Sequence, residues 1–205
     1  MKVVLINGSP RKNGCTARAL REVETQLQKN GIETEWFHVG NKPISGCIAC
    51  GACKKTGRCA VSDDVNQCAA LIADADGLVV GSPVHYAGAS GAITSFMDRL
   101  FYSASKQFQF KPAAAVVSCR RGGASATFDQ LNKYFTINNM PIVSSQYWNS
   151  VHGNTPEEVE QDLEGLQTMR TLGNNMAWLI RCIDQAKDKV PYPEKETKVS
   201  TNFIR

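Results

Sequence analysis

The strongest constraint on this chain is an alternation of two hydrophobic patterns. Short apolar runs at residues 3–6 (VVLI), 77–82 (GLVVGS), 113–118 (AAAVVS) and 141–145 (PIVSS) are separated by stretches with apolar residues at helical spacing. A continuous apolar run suits a strand covered on both faces, and strands alternating with helices build parallel βαβ units. A helix is expected over 15–30, where Ala19, Leu20, Val23 and Leu27 share one face. Lys29-Asn30-Gly31 ends it with a cation and a glycine. Residues 32–39 read as a further strand whose mixed polarity suits a sheet edge. Helices are also expected over 63–74, opened by Asp63-Asp64, over 91–101, over 127–138 and over 155–186, which starts Thr-Pro-Glu-Glu. Five parallel strands with intervening helices fit an α/β doubly wound sheet of order 2-1-3-4-5 or a short dinucleotide-binding unit. In both, ligands sit at the C-terminal ends of the strands.

The chain has 205 residues, 42% hydrophobic and 20% charged, which suits one sizeable domain. That domain is expected over 1–186, with a cysteine-rich loop at 43–60 and a polar tail over 187–205. The net charge of +4 is scattered, and the longest basic groups are pairs such as Lys54-Lys55 and Arg120-Arg121. No basic stripe of the kind that binds nucleic acid is visible, so no nucleic-acid partner is expected. The N-terminal apolar run, Val3–Ile6, is shorter than the roughly 7–15 residues of a secretory signal. No segment reaches the roughly 18 apolar residues of a membrane span. A cytoplasmic location is therefore expected, where thiols stay reduced and cysteines serve metals, catalysis or packing.

With residues 32–39 counted as the second strand, the loops after the first, third and fourth strands are where chemistry is to be sought. After the first comes GSPRKNGCT, residues 8–16. It is not G-x4-G-K-[ST], since five residues separate Gly8 from Gly14 and Cys15 replaces the lysine. Nor is it G-x-G-x-x-G, since Pro10 stands at the second glycine. Ser9, Arg11, Asn13 and Thr16 remain, at a helix start, and suit a terminal monophosphate; the alternative is a turn that binds nothing. After the third strand, GSPVHYAGASG offers a flat backbone at Pro83 and Val84 and an aromatic at Tyr86, suited to a planar ring. Tyr86 taken alone reads better as a half-exposed packing residue. After the fourth, Ser118, Arg120, Gly122 and Gly123 bring free N–H groups and positive charge. These suit the edge of a flavin that becomes anionic on reduction, although arginines also serve solubility. One phosphate loop and two ring loops on a single sheet edge are the layout for FMN.

These residues resemble a family. Gly8-Ser-Pro-Arg, Gly14-x-Thr16, Asp63-Asp64, the run from Ala75 to Tyr86 and Asp98-Arg99 are similar to the NADPH-dependent FMN reductases. Within them the chain is most similar to the iron–sulfur flavoprotein branch, whose compact cysteine motif matches Cys47, Cys50, Cys53 and Cys59. The resemblance covers roughly residues 1–150. It implies a flavodoxin-like three-layer sandwich with a five-stranded parallel sheet, bound FMN, hydride uptake from a reduced nicotinamide, and homodimers or homotetramers. By the same resemblance Ser9, Arg11, Asn13 and Thr16 belong to the phosphate loop, and Pro83, Val84 and Tyr86 to the ring loop. Gly122 and Gly123 match a third flavin loop less closely, because Arg120-Arg121 replaces a more neutral sequence. His85 departs from the family pattern.

Residues 45–59 read SGCIACGACKKTGRC, with spacing C-x2-C-x2-C-x5-C. A structural zinc site uses two ligand pairs with a long spacer, which this run lacks. A CxxC redox pair is open to Cys47 and Cys50, but that motif usually starts a helix. A [4Fe–4S] cluster fits the spacing better, with Ala49, Gly51 and Ala52 letting the chain wrap closely; reduced free thiols stay open beside it. Cys15, Cys68, Cys119 and Cys182 are isolated and read as small hydrophobes. The leading expectation is an FMN-dependent oxidoreductase taking hydride from NAD(P)H and reducing a quinone, a nitro or azo compound, or an iron–sulfur partner. The alternative is a flavin and iron–sulfur electron carrier between proteins, without small-molecule turnover. A flavin-binding regulatory or storage protein is the third.

Overall fold

Side-chain alternation inside the strands decides the layers. In β1 (Lys2–Asn7), Val4 and Ile6 point into one core, Val3 and Leu5 into another, and all four are fully buried. A sheet apolar on both faces must be covered on both. The structure, a computed structural model, describes residues 1–197 and 199–201. On one face lie α1 (Cys15–Lys29) and α7 (Leu163–Ala186). On the other lie α3 (Asp64–Ala73), α4 (Gly91–Ala104) and α5 (Ala124–Thr136). The sheet runs β2-β1-β3-β5-β6, with β2 at Glu33–His38, β3 at Gly77–His85, β5 at Ala113–Cys119 and β6 at Ser150–His152. All pairs along this path are parallel. A two-residue strand, β4 (Gly88–Ala89), only folds back on the end of β3. With it set aside, the order is the expected 2-1-3-4-5. The half-buried β2 occupies an edge, as its polarity demanded.

Two expected elements are corrected. The fifth strand is not residues 141–145. Pro141 has no N–H to donate, and the segment makes one bridge, Ala113 to Ile142, before leaving the sheet. Residues 144–149 turn outward, held by Ser145 Oγ against the Tyr147 carbonyl (2.6 Å) and Asn149 Oδ1 (2.7 Å). Pairing with β5 resumes only at β6. The helix over 155–186 is also broken in two. A short α6 (Pro156–Val159) follows the Thr155 cap, and α7 starts afresh because Asp162 Oδ1 accepts from Gly165 N at 2.9 Å. A side chain that caps a new first turn competes with continuation of the old helix.

Smaller differences sit at element ends. The fourth helix runs to Ala104 rather than 101, and the fifth spans Ala124–Thr136 rather than 127–138. Lys111 closes α3, its ammonium donating to the carbonyls of Ile72 (2.7 Å), Ala73 (2.5 Å) and Ala75 (2.6 Å). In the tail, Tyr192 stacks on Phe110 with centroids 4.8 Å apart; Lys198 and residues 202–205 lie outside the described residues. Among the described residues, no helix is long and apolar enough to cross a membrane.

Candidate flavin and iron–sulfur site

The C-terminal ends of β1, β3 and β5 are tied together by their own loops. Gly8 N donates to the Gly81 carbonyl at 2.8 Å, and Ser90 Oγ donates to the Gly8 carbonyl at 3.0 Å. Ser9 is buried. Its N–H donates to Asn7 Oδ1 (3.0 Å) and its Oγ accepts from Arg11 N (3.1 Å). His38 Nε2, at the end of β2, lies 2.8 Å from the Ser9 carbonyl. Helix α1 begins after Gly14 with no side-chain cap and no acidic residue in its first turn. Its free N–H groups and positive dipole end thus face the loop, an arrangement that favours an anion. Arg11 and Asn13 are exposed beside it, Asn13 accepting from Arg21 at 3.1 Å. Thr16 is buried one turn deeper, its Oγ1 2.8 Å from Ser118 Oγ. In this arrangement the two hydroxyls serve each other and lock the loop's base. Burial pushes the neighbouring Cys15 thiol above its ordinary pKa, so this cysteine is not activated by the helix end.

Strand β3 is longer than its apolar run, because Pro83, Val84 and His85 continue it into a hairpin with β4. The pairs are Val84 with Ala89 and His85 with Gly88. Only Tyr86 and Ala87 remain for the turn, at φ 48° and 61°. Two-residue hairpins need positive φ at both positions and usually use Asn-Gly. Tyr-Ala there costs about 1–2 kcal/mol per residue, a strain that must be held by neighbours. The holders are visible. Ala89 N donates to Gln130 Oε1 (3.0 Å) and Ser90 N to Ser82 Oγ (3.1 Å). Gly123, at φ 89°, sits so close that a Cβ there would lie 2.7 Å from Ala87 Cα. The Tyr86 ring is fully exposed, so the packing alternative for it is excluded in this chain. The third loop, with exposed Arg120, Arg121 and Gly122, leads through Gly123 into α5, which like α1 lacks a side-chain cap.

The cysteine segment follows β2 and runs along α4. Ala49 (φ 53°) and Gly51 (φ 70°) bracket Cys50, and Gly57 (φ 67°) ends a one-turn helix, α2 (Cys53–Thr56). These left-handed positions wrap the chain so that Cys47, Cys50, Cys53 and Cys59 line one cavity of about 310 Å³. All eight cysteines are unpaired. Among the described residues, no three His, Cys, Asp or Glu side chains converge tightly enough for a single metal ion. Four thiols lining one cavity are the donor set that a [4Fe–4S] group would need.

Arg99 holds this segment from α4. It is 2% exposed, and its Nη1 and Nη2 donate to Asp63 Oδ2 and Oδ1 at 2.7 and 2.8 Å. Nη1 and Nη2 also reach the carbonyls of Ser45 and Val61, each at 3.4 Å, and Nε donates to Cys59 Sγ at 3.3 Å. Asp63 in turn caps α3 through Val65 N (3.2 Å). Burial alone would raise the Asp63 pKa, but the hydrogen bonds from Arg99 and Val65 outweigh it and hold the carboxyl below its ordinary value. Asn66 clasps both sides of Cys59, accepting from its N–H and donating to its carbonyl, each at 3.0 Å.

Sequence reasoning did not single out His38, Asn66, Ser82, Ser90 or Gln130, and met Arg99 only as part of a family resemblance. Each acts through a partner far away in the chain, and no local pattern marks such a contact. The His85 side chain is exposed at the hairpin and makes no hydrogen bond to another described residue, while its backbone pairs with Gly88.

Comparison with known proteins agrees with this geometry. The NADPH-dependent FMN reductase family matches residues 1–155. An iron–sulfur flavoprotein of Methanocaldococcus jannaschii is 34% identical over 191 residues, covering 89% of this chain and 99% of its own. The iron–sulfur flavoprotein of Methanosarcina thermophila is 26% identical over 193 residues, covering 92% and 100%. The solved structure of an archaeal flavodoxin superposes with a TM-score of 0.61 at 15% identity, over 88% of this chain and 99% of its own, a likeness of fold alone. The chain belongs to the NADPH-dependent FMN reductase family, in the branch of the iron–sulfur flavoproteins, and is a flavin-dependent oxidoreductase with a flavodoxin-like fold.

Proposed function

We propose that this chain holds FMN across residues 8–16, 82–90 and 118–123 and a [4Fe–4S] cluster on Cys47, Cys50, Cys53 and Cys59. It passes electrons from NAD(P)H to a quinone, a nitro or azo compound, or an iron–sulfur partner, working as a homodimer or homotetramer. The observation that carries this reading is the junction of two uncapped helix N-termini and a strained hairpin at one sheet edge, with a four-cysteine cavity reached along α4. Ser90 at the start of α4 is bonded to the phosphate loop and Arg99 to Cys59. They lie nine positions apart, about 14 Å at the rise of a helix.

The bound flavin would supply the hydride acceptor and the cluster a one-electron store. The chain's part is positioning. The α1 N-terminus, the buried Ser9 turn and Arg11 bind the phosphate end; Pro83, Val84 and the Tyr86–Ala87 turn bear on the ring. Arg120 and the backbone of Gly122 and Gly123 bring positive charge where negative charge develops. No side chain is assigned as a general acid or base.

The test is protein purified and, where needed, reconstituted without oxygen. Flavin absorption together with acid-labile broad absorbance, and stoichiometric iron and sulfide that vanish in a Cys47→Ser, Cys50→Ser double variant, support the reading. NAD(P)H oxidation on adding a quinone supports the enzyme. Colourless protein that takes up no FMN sinks the flavin site, and flavin without iron sinks the cluster.

A further inference from the structure

We propose that Arg99 is a positioning residue that sets the electron affinity of the cysteine-held cluster, by aiming a cationic hydrogen bond from Nε at Cys59 Sγ. The inference rests on the cluster reading above. Its geometric basis is a division of labour within one guanidinium. Nη1 and Nη2 are engaged by both oxygens of Asp63 and by the Ser45 and Val61 carbonyls, which would suffice to tether the segment. The remaining donor, Nε, is directed at sulfur, 3.3 Å away. A planar fork fixed on both Nη atoms cannot swing, so the direction of the Nε–H is set by Asp63. Asp63 is itself fixed by capping α3, and Cys59 is held from its other side by Asn66.

Burial gives this contact its effect. Arg99 is 2% exposed, whereas Cys47 and Cys50 are open to solvent, so Cys59 is the ligand whose sulfur meets a charge unscreened by water. One electron taken up by a cluster on the four cysteines, supplied by the reduced flavin, would make and break no bond at the cluster. The added negative charge spreads onto the thiolate sulfurs. A cationic donor on one of them stabilises the reduced form more than the oxidised form, so its removal must lower the reduction potential.

The test is an EPR-monitored redox titration of the holoprotein with Arg99→Lys and Arg99→Gln. Arg99→Gln should weaken reduction of the cluster about tenfold, a drop of about 59 mV for one electron. Arg99→Lys, which keeps the charge and loses the aimed Nε–H, should fall between it and the wild type. Because removing a buried cation can impair folding, the unmodified protein carries a second measurement. With ¹⁵N-arginine incorporated, pulsed EPR of the reduced cluster should detect a nitrogen coupling. Potentials unchanged in either folded variant, or no arginine coupling in the wild type, overturn the role of Arg99 and leave the cluster reading standing. A wild-type protein that binds FMN but no iron overturns both.

Discussion

Thr16 Oγ1 lies 2.8 Å from Ser118 Oγ, joining the first turn of α1 to the end of β5 across 102 positions of sequence. Both side chains are buried, so neither hydroxyl has water as an alternative partner. Thr16→Val should leave Ser118 unpaired and cost about 1–3 kcal/mol. Thr16→Ser should be close to neutral. Removing both hydroxyls, Thr16→Val with Ser118→Ala, should cost less than the two single changes added together. Urea denaturation of the FMN-free protein measures all of these. Additive costs would mean that the two hydroxyls do not depend on each other.

Gly123 is the floor of the hairpin turn. Its φ of 89° disfavours any side chain, and a Cβ would come within 2.7 Å of Ala87 Cα and 2.8 Å of Val84 Cγ1. Backbone cannot yield as a flexible side chain can, so Gly123→Ala should displace the Tyr86–Ala87 turn. We expect a loss of about 2 kcal/mol in stability together with weaker FMN binding. Ala87→Gly, which relaxes the turn in place, should leave stability within about 1 kcal/mol. Calorimetry and FMN fluorescence titration on both variants distinguish a floor from a filler.

Tyr86 presents its whole ring to solvent from a left-handed backbone position. The folded chain gains nothing from that ring, so Tyr86→Ala should move thermal stability by no more than about 0.5 kcal/mol. If the ring covers FMN, the same change should weaken FMN binding about tenfold, or about 1.4 kcal/mol. Unchanged FMN affinity would remove Tyr86 from the site.

Much of this was legible in sequence because it is local. The VVLI run, the Asn30-Gly31 stop and the Asp63 cap each declare themselves within a few residues, and the structure places the corresponding elements as expected. The failures have a common physical origin. Pro141 and residues 142–145 carry strand-like composition, yet a missing N–H and the hydrogen bonds of Ser145 pull them from the sheet. Asp162 looks like an ordinary helical acid until its carboxylate is seen capping Gly165 and accepting from His152 N. At the candidate site, the four cysteines were visible as spacing, while Arg99 was not. Its contacts with Asp63 and Cys59 span 36 and 40 positions and leave no periodic trace.

The Asp63–Arg99 pair gives the cysteine segment a definite response to acid. Aspartate in an unfolded chain has an ordinary pKa of 3.8, and in the folded protein the Asp63 carboxyl titrates below that value. Protons therefore bind more readily to the unfolded state, and the stabilisation is fully present well above pH 3.8. It is lost as pH falls through the folded value. Asp63→Asn keeps an N-cap for α3 but removes the charge that faces a buried guanidinium. Because the Asp63 side chain is 33% exposed, the cost near pH 7 should lie at or below the low end of the range for broken buried pairs, about 3 kcal/mol. The wild type should thus be more stable than Asp63→Asn at neutral pH, and the gap should narrow as pH drops below 3.8. Urea midpoints collected from neutral to acid pH, with hydrogen exchange followed across residues 45–63, test this. A gap that stays constant into acid would show that Asp63 acts as a neutral hydrogen-bond acceptor, and that the charge on Arg99 is balanced elsewhere.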